Sequence, residues 1–368
     1  MKTYYISIEN AVWSFPIAAL LFTLPYCAYC YRKFGSISFL RTVIMFSMLF
    51  YLECAYFLIV FPLPDAKDVA MLTTPAYDLI PFHFIHGLAL SEFNLLQPST
   101  WIPALKSSAF LEPFFNLCLI MPFGAYLAYY FKKKRRAAIM LSFALSLFFE
   151  LTQLSALYGI YPRPYRLFSV DDLILNTLGG LVGYCLFAKL GKFLPSRDKI
   201  DEKSLKKGES STVSHTRRLT AAGIDFIVVF AFDLVLLRFT SIGYMITFLI
   251  SLNLLTAVCS LATRGFTAGK WLVRIKVESV GRKGFAWRVL LRYLLRNALV
   301  FMPFALSALV LRVQYPIWVF SVFAAVFAIV FIDFVLSFKK GRRLWYERLS
   351  GTANASVKKN FNYYLSHQ

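Results

Sequence analysis

The residues that could do chemistry concentrate in one stretch, FFELTQLSALYGIYPRPYRLFSVDDLILNTLGGLVG at 148–183. Glu150 and Gln153 sit in one apolar segment. Asp171, Asp172 and Asn176 sit in the next, across a turn that carries Arg163 and Arg166. Acids and amides inside apolar helices are costly, so by default they mark a functional site. Glu150 and Gln153 are spaced i,i+3 and Asp172 and Asn176 i,i+4, so each pair shares a helical face. Glu150 and Asp172 are the candidate catalytic acids, with Glu150 suited to be a general base or proton shuttle. Asn116, Gln153, Arg163, Arg166, Asp171 and Asn176 are the candidates for holding a substrate. The competing structural reading pairs Glu150 with Arg163 or Arg166, bonds the amides between helices, and uses one of Asp171 and Asp172 to accept free N–H groups at a helix N-terminus; a third reading is a proton or ion path.

The elements that position these residues follow from composition. The 368-residue chain is 58% apolar, 18% aromatic and 16% charged, with mean hydropathy +0.60. Its apolar residues come in runs of about 20, the length that spans a bilayer. The expected fold is all-α, a polytopic transmembrane bundle of about nine spans in two modules. The spans fall near 10–31, 38–61, 110–131, 137–158, 171–191, 219–239, 241–262, 290–311 and 315–338.

Charge sets the orientation. The net charge is +21, and all but seven of the 40 Lys and Arg fall in alternate connections and the C-terminal tail. The seven are Lys2, Lys67, Lys106, Arg163, Arg166, Arg238 and Arg312. The positive-inside rule then places the N-terminus outside and the C-terminus in the cytoplasm. The basic loops are topology signals with affinity for anionic lipid, and nucleic acid is not an expected partner. In this topology Asn116, Glu150, Gln153 and Asn176 lie about 8–12 Å below the outer surface, on three neighbouring helices. Gly179 and Gly183 continue the face of Asn176 and Asp172, where small residues allow close helix approach. Pro122–Phe123–Gly124 can kink the span beside them.

The polar, Ser- and Lys-rich stretch 194–216 reads as a disordered cytoplasmic linker. It divides a 1–193 domain of five spans from a 217–357 domain of four, with a tail at 358–368. The six cysteines all lie in apolar segments, and the CxxC of Cys27 and Cys30 lacks a partner pair for zinc. His83 and His86 share a helical face but have no evident third ligand. TAGK at 267–270 lacks the spacing of a phosphate-binding loop. The sequence thus calls for no metal and no cofactor. MKTYYISIENAVW lacks the basic n-region of a removable signal peptide. Asp225, Asp233 and Asp333 are further intramembrane acids. The bland reading of these is an Asp–Arg or Asp–amide lock between helices.

Over about 77–193 the chain resembles the VanZ-like family. The resemblance rests on LIPF at 79–82, Asn116, MPFG at 121–124, ELTQ at 150–153, RLFSVDD at 166–172 and NTLG at 176–179. It departs at Asp78, where the family often has Asn, and at Ser169, where it often has Asp. The resemblance implies an integral membrane protein tied to the cell envelope and to glycopeptide (teicoplanin) tolerance in Gram-positive bacteria. It does not specify a reaction.

Over about 215–357 the chain resembles the RDD family. RLTAAGID at 218–225 supplies Arg218 and Asp225, FTAGKWLVRIKV at 266–277 looks like its TxGK-type loop, and RLWYERLSGT at 343–352 looks like its last motif. Glu347 stands there in place of the family's second Asp, one methylene longer. Three functions follow as expectations. The first is a plasma-membrane protein binding or acting on a lipid-linked or wall-proximal substrate. The second is a transporter using Asp225, Asp233 and Asp333. The third is a scaffold without chemistry.

Overall fold

The computed structural model describes residues 2–89, 97–209, 213–236, 244–281, 284–312, 332, 335 and 343–357. The long helices are α1 (Lys2–Phe34), α2 (Phe39–Val60), α6 (Ser108–Tyr129), α7 (Arg135–Leu154), α9 (Val170–Leu190), α11 (His215–Leu236), α12 (Tyr244–Ala262) and α14 (Phe285–Arg312). Short helices α3 (Ala66–Ala70), α4 (His83–Ala89), α5 (Trp101–Leu105), α8 (Ala156–Gly159), α10 (Arg197–Gly208), α13 (Ala268–Leu272) and α15 (Trp345–Leu349) join them. Among the described residues six helices are long and apolar enough to cross a membrane. The protein is an all-α membrane bundle. The eight expected spans from 10–31 to 290–311 each coincide with a helix. The ninth, 315–338, lies almost wholly outside the described residues.

The helix ends have local causes. Helix α7 stops at Leu154, four residues before the expected end. Ala156, Leu157 and Tyr158 all take positive φ, a conformation that cannot continue a right-handed helix. Ser155 accepts a hydrogen bond from the Tyr158 N–H within that turn. Helix α9 begins at Ser169, whose hydroxyl accepts from the Asp171 N–H as an N-cap does.

The chain falls into two compact units, one of residues 1–20 and 38–201, the other of 21–37 and the described residues from 202 onward. The first unit is held by α6 against α9. Any side chain at Gly179 or Gly183 would run into the backbone carbonyls of Leu117 and Met121, and one at Gly124 into that of Gly180. The expected small-residue face therefore works by backbone contact. An apolar core of Ala55, Ile59, Val60, Ile120, Phe149 and Leu157 packs beside it. A parallel bridge pairs β1 (Tyr77–Asp78) with β2 (Phe168–Ser169), tying the 62–107 connection to the start of α9.

The second unit contains a small antiparallel sheet of β3 (Ile275–Ser279) and β4 (Thr352–Ser356). Ile275 and Val277 alternate inward and pack in its clusters with Val273, Ala221, Val289 and Tyr293.

The expected disordered linker is corrected by α10. Its charges form i,i+4 pairs, Lys206 with Glu202 at 2.6 Å and Arg197 with Asp201 at 3.6 Å. In the first unit the buried Arg41 also meets Asp201 at 2.6 Å, and Ile200 packs with Ile44 and Tyr130. In the second unit Ser36 donates to the Ser204 carbonyl at 2.6 Å. Composition alone reads as disorder, but these contacts give the stretch a tertiary reason to fold.

Candidate functional site

Helices α2, α6, α7 and α9 enclose a cavity of about 1040 Å³ in the first unit. Its wall carries Asn116, Glu150, Gln153, Arg166, Asp171, Asp172 and Asn176, seven of the eight residues singled out in this region from sequence. Arg163 is the eighth, and it does not line the cavity. Glu112, Asp78, His83 and Ser169 line it as well.

Three of the polar groups hold the frame. Asp171 is buried and accepts from the Phe82 N–H at 2.5 Å and the Phe84 N–H at 2.9 Å, which fixes the start of α4. Gln153 donates to the Ile59 carbonyl at 3.1 Å. Arg166 donates to the Phe61 carbonyl at 2.5 Å, and Arg163 to the carbonyls of Leu72 and Thr74. These carbonyls belong to non-helical backbone after α2, and carbonyls without a ladder partner need a donor. Neither arginine therefore pairs with Glu150, as the structural reading expected. Among the described residues neither Glu150 nor Asp172 has an ion-pair partner within 4.0 Å.

The remaining groups face the cavity with acceptor capacity to spare. Glu150 is 3% exposed, and its Oε2 accepts from the Ser169 N–H at 3.0 Å. Asp172 accepts from the Asn116 amide at 2.5 Å through Oδ1. Asn176 is buried, and its carbonyl oxygen Oδ1 has no hydrogen-bond partner. Leaving such an atom unsatisfied costs about 1–3 kcal/mol, so the site favours a donor beside it. The rest of the lining includes the apolar and aromatic side chains of Tyr51, Leu58, Phe115, Leu119 and Phe149.

At the rim, the His83 imidazole meets Asp78 at 2.5 Å. This contact holds the Asp78 carboxyl below its ordinary range and the His83 imidazole above its own. His83 was visible in sequence only as half of an HxxH. Its partner comes from i−5, a spacing that no helical face predicts. Glu112 escaped attention because it stands near the end of α6, where an acid is unremarkable. Glu53, a further acid inside α2, accepts from the Ser14 hydroxyl at 2.5 Å and takes no part in the cavity.

In the second unit the described residues selected from sequence fall in three separate places. Asp225 accepts from the Thr267 hydroxyl and the Gly269 N–H, each at 2.7 Å, locking the TAGK turn onto α11. Beside that turn the buried Lys270 donates to the Tyr293 hydroxyl at 2.8 Å, and burial pulls the Lys270 ammonium below its ordinary value. Glu347 is fully buried, with Arg218 at 2.9 Å and Arg292 at 3.0 Å. It also accepts from the Leu344 N–H at 3.1 Å and the Asn354 amide at 2.6 Å. Asp233 accepts from Ser251 at 3.1 Å. Asp333 lies outside the described residues. Sequence reading quoted Lys270 only as part of the TAGK turn and missed Arg292 and Tyr293; the signal was the run of residues with polar tips along α14 at 292, 293, 296 and 297.

The VanZ/LLP1 family model matches residues 46–192. No curated protein and no solved structure matches the chain. The matched span holds every cavity-lining residue but Ile8, so the part of the chain that builds the site is VanZ-like.

Proposed function

We propose that the VanZ-like unit binds a lipid-linked or cell-wall-proximal substrate at the outer leaflet of a bacterial plasma membrane. Through that site the chain contributes to tolerance of teicoplanin-like glycopeptides. The observation that supports this reading is the cavity. Its size suits a ligand. Its lining combines the acceptors of Glu150, Asp172 and Asn176 with hydrocarbon and aromatic side chains. A structural network would consume its own polar groups, as Asp171 and Gln153 are consumed here. The orphaned Asn176 oxygen argues for an occupant. Glu150 is then the group that moves or holds a proton at the ligand, with Asp172, fixed by Asn116, beside it.

We read the second unit as RDD-like. Arg218 of its first motif meets Glu347 of its last, so Glu347 serves where the family has Asp. Asp225 is spent on Thr267 and Gly269, which favours the lock over a transport role for that acid. With five spans before α10, the N-terminus lies outside and the cavity opens outward.

Two measurements test the reading. Cysteines placed near Asp68 and Tyr165 should react with an impermeant reagent on whole cells, and one near Gly208 should not. Cells carrying Asp172→Asn or Glu150→Gln should lose teicoplanin tolerance while keeping the protein in the membrane. The opposite labelling pattern, or full tolerance in both variants, defeats it.

A further inference from the structure

The charge on the cavity wall narrows the ligand. Of its acids, Asp171 has each oxygen engaged by a backbone N–H group, and Asp78 has one engaged by the Ile80 N–H and the other by His83. Glu112, Glu150 and Asp172 retain free acceptor oxygens, and among the described residues none has an ion-pair partner within 4.0 Å, Arg166 being the cation that acts on Asp172. On the cationic side His83 is held by Asp78, which leaves Arg166 alone, with one amino group already committed to the Phe61 carbonyl. A phosphate or pyrophosphate headgroup would meet three carboxylates and one guanidinium. That is a poor match, because like-charge juxtaposition inside an interface costs several kcal/mol.

An independent observation points the same way. The unsatisfied atom in the wall, Asn176 Oδ1, is an acceptor in a side chain 2% exposed, so the missing group is a donor. A metal ion is a weaker fit. Among the described residues no three His, Cys, Asp or Glu side chains converge as ligands. A primary ammonium is a strong one. It has three donors and no acceptor, and Tyr51, Phe115 and Phe149 also line the cavity, supplying aromatic rings of the kind that attract cations. Leu58, Ile59 and Leu119 add hydrocarbon to the lining.

We propose that the cavity takes an amphiphile with a primary ammonium headgroup, which donates to Asp172, Glu112 and Asn176 while its chain lies along the apolar wall. This rests on reading the cavity as a binding site and names the chemical class of its ligand. An aminoacylated lipid and an amine-bearing lipopeptide share that chemistry.

The test uses the full chain in lipid nanodiscs and three photoactivatable hexadecyl probes that differ only in the headgroup: primary amine, hydroxyl or phosphate. Labelled peptides locate the site. Competition by an aminoacylated phosphatidylglycerol or by teicoplanin distinguishes the two sources. The amine should label α6 and α9 about tenfold more strongly than the alcohol, and the phosphate least. Glu112 is exposed, so Glu112→Gln should leave folding intact. Together with Asp172→Asn, which can keep the Asn116 bond, it should erase the amine preference without changing the melting temperature. If the phosphate or the alcohol labels these helices as strongly as the amine, the ammonium assignment is overturned and the binding site stands. If no probe labels them, both fall.

Discussion

Asn116 on α6 donates its amide to the carboxylate of Asp172 on α9 across 2.5 Å, at the wall of the cavity. The bond joins the two helices whose backbones approach at Gly179 and Gly183. It also holds one Asp172 oxygen still and leaves the other for a ligand. Interhelical hydrogen bonds in membranes contribute modestly, because the separated helices find other partners. Asn116→Ala should therefore lower stability by about 0.5–2 kcal/mol. Thermal unfolding in detergent measures it. A double-mutant cycle with Asp172→Ala should recover most of the loss as coupling between the two. Additive losses would show that the pair is not a joint.

Gly183 makes a sharper case. A Cβ there would overlap the carbonyl of Met121, which is backbone and cannot swing aside. Gly183→Ala should force α6 and α9 apart and Gly183→Leu should prevent their packing. The cost should be several kcal/mol, well above the usual 0.5–3 kcal/mol of a point substitution. Limited proteolysis of membranes would show it as cleavage in the 155–169 turn. Unchanged protection in Gly183→Leu would mean the two helices do not pack here.

Glu347 offers a contrast, since its interactions are ionic. Its two oxygens serve Arg218, Arg292, the Leu344 N–H and the Asn354 amide. That saturates a carboxylate's acceptor sites. Glu347→Gln replaces one oxygen by an NH2 aimed at a guanidinium and leaves a buried cation uncompensated. A loss of about 3–5 kcal/mol is expected. Glu347→Asp keeps the charge but falls one methylene short, so it should cost less than Gln yet more than zero. Melting curves of the three proteins order them; Asp below Gln would mean that reach matters more than charge.

The His83–Asp78 contact gives a pH dependence. The hydrogen bond between the two is the main cause of both shifts, and the Ile80 N–H adds to that of Asp78. His83 is raised above the ordinary histidine value of 6.5, so its contribution is complete below pH 6.5 and fades as pH rises through the higher folded value. Asp78 is lowered below 3.8, so its contribution is complete above 3.8 and is lost as pH falls through the lower folded value. The contact is strongest between those limits. NMR titration of a His83-labelled protein should give an apparent value above that of His83 in the Asp78→Asn variant. Equal values in the two proteins would dissolve the pair.

Much of this architecture was legible beforehand because bilayer-spanning helices announce themselves by length and hydropathy. The cavity residues were legible for a related reason. A Glu, a Gln and an Asn inside apolar runs have few innocent explanations, and i,i+3 and i,i+4 spacing put them on common faces. What stayed hidden depends on contacts between segments far apart in the chain. Arg163 and Arg166 looked like partners for Glu150, but carbonyls at 61–74 claim them. The charges of α10 looked like a solvated linker until Arg41 and Ile44 supplied a surface. The β3–β4 pairing could have been suspected from the alternation of Ile275, Lys276, Val277 and Glu278, but its partner lies some 75 residues away, and no local pattern identifies it.

Glu150 carries the last prediction. Its Oε2 accepts from the Ser169 N–H at 3.0 Å, at the residue that caps α9. Glutamine can offer its carbonyl oxygen to the same N–H, so Glu150→Gln should fold within about 1 kcal/mol of the parent. Glu150→Leu offers no acceptor and leaves that N–H buried without a partner. It should lose about 1–3 kcal/mol, seen as a lower melting temperature. Stability thus follows the hydrogen bond, and Gln and Glu should rank together. Tolerance should follow the charge instead. The proposed role needs a group that can hold or release a proton, which an amide cannot do, so Gln should rank with Leu in a teicoplanin susceptibility assay. The two orders separate a chemical role from a structural one. If Gln protects cells as well as Glu does, Glu150 is an acceptor that shapes the mouth of α9, and no proton step passes through it.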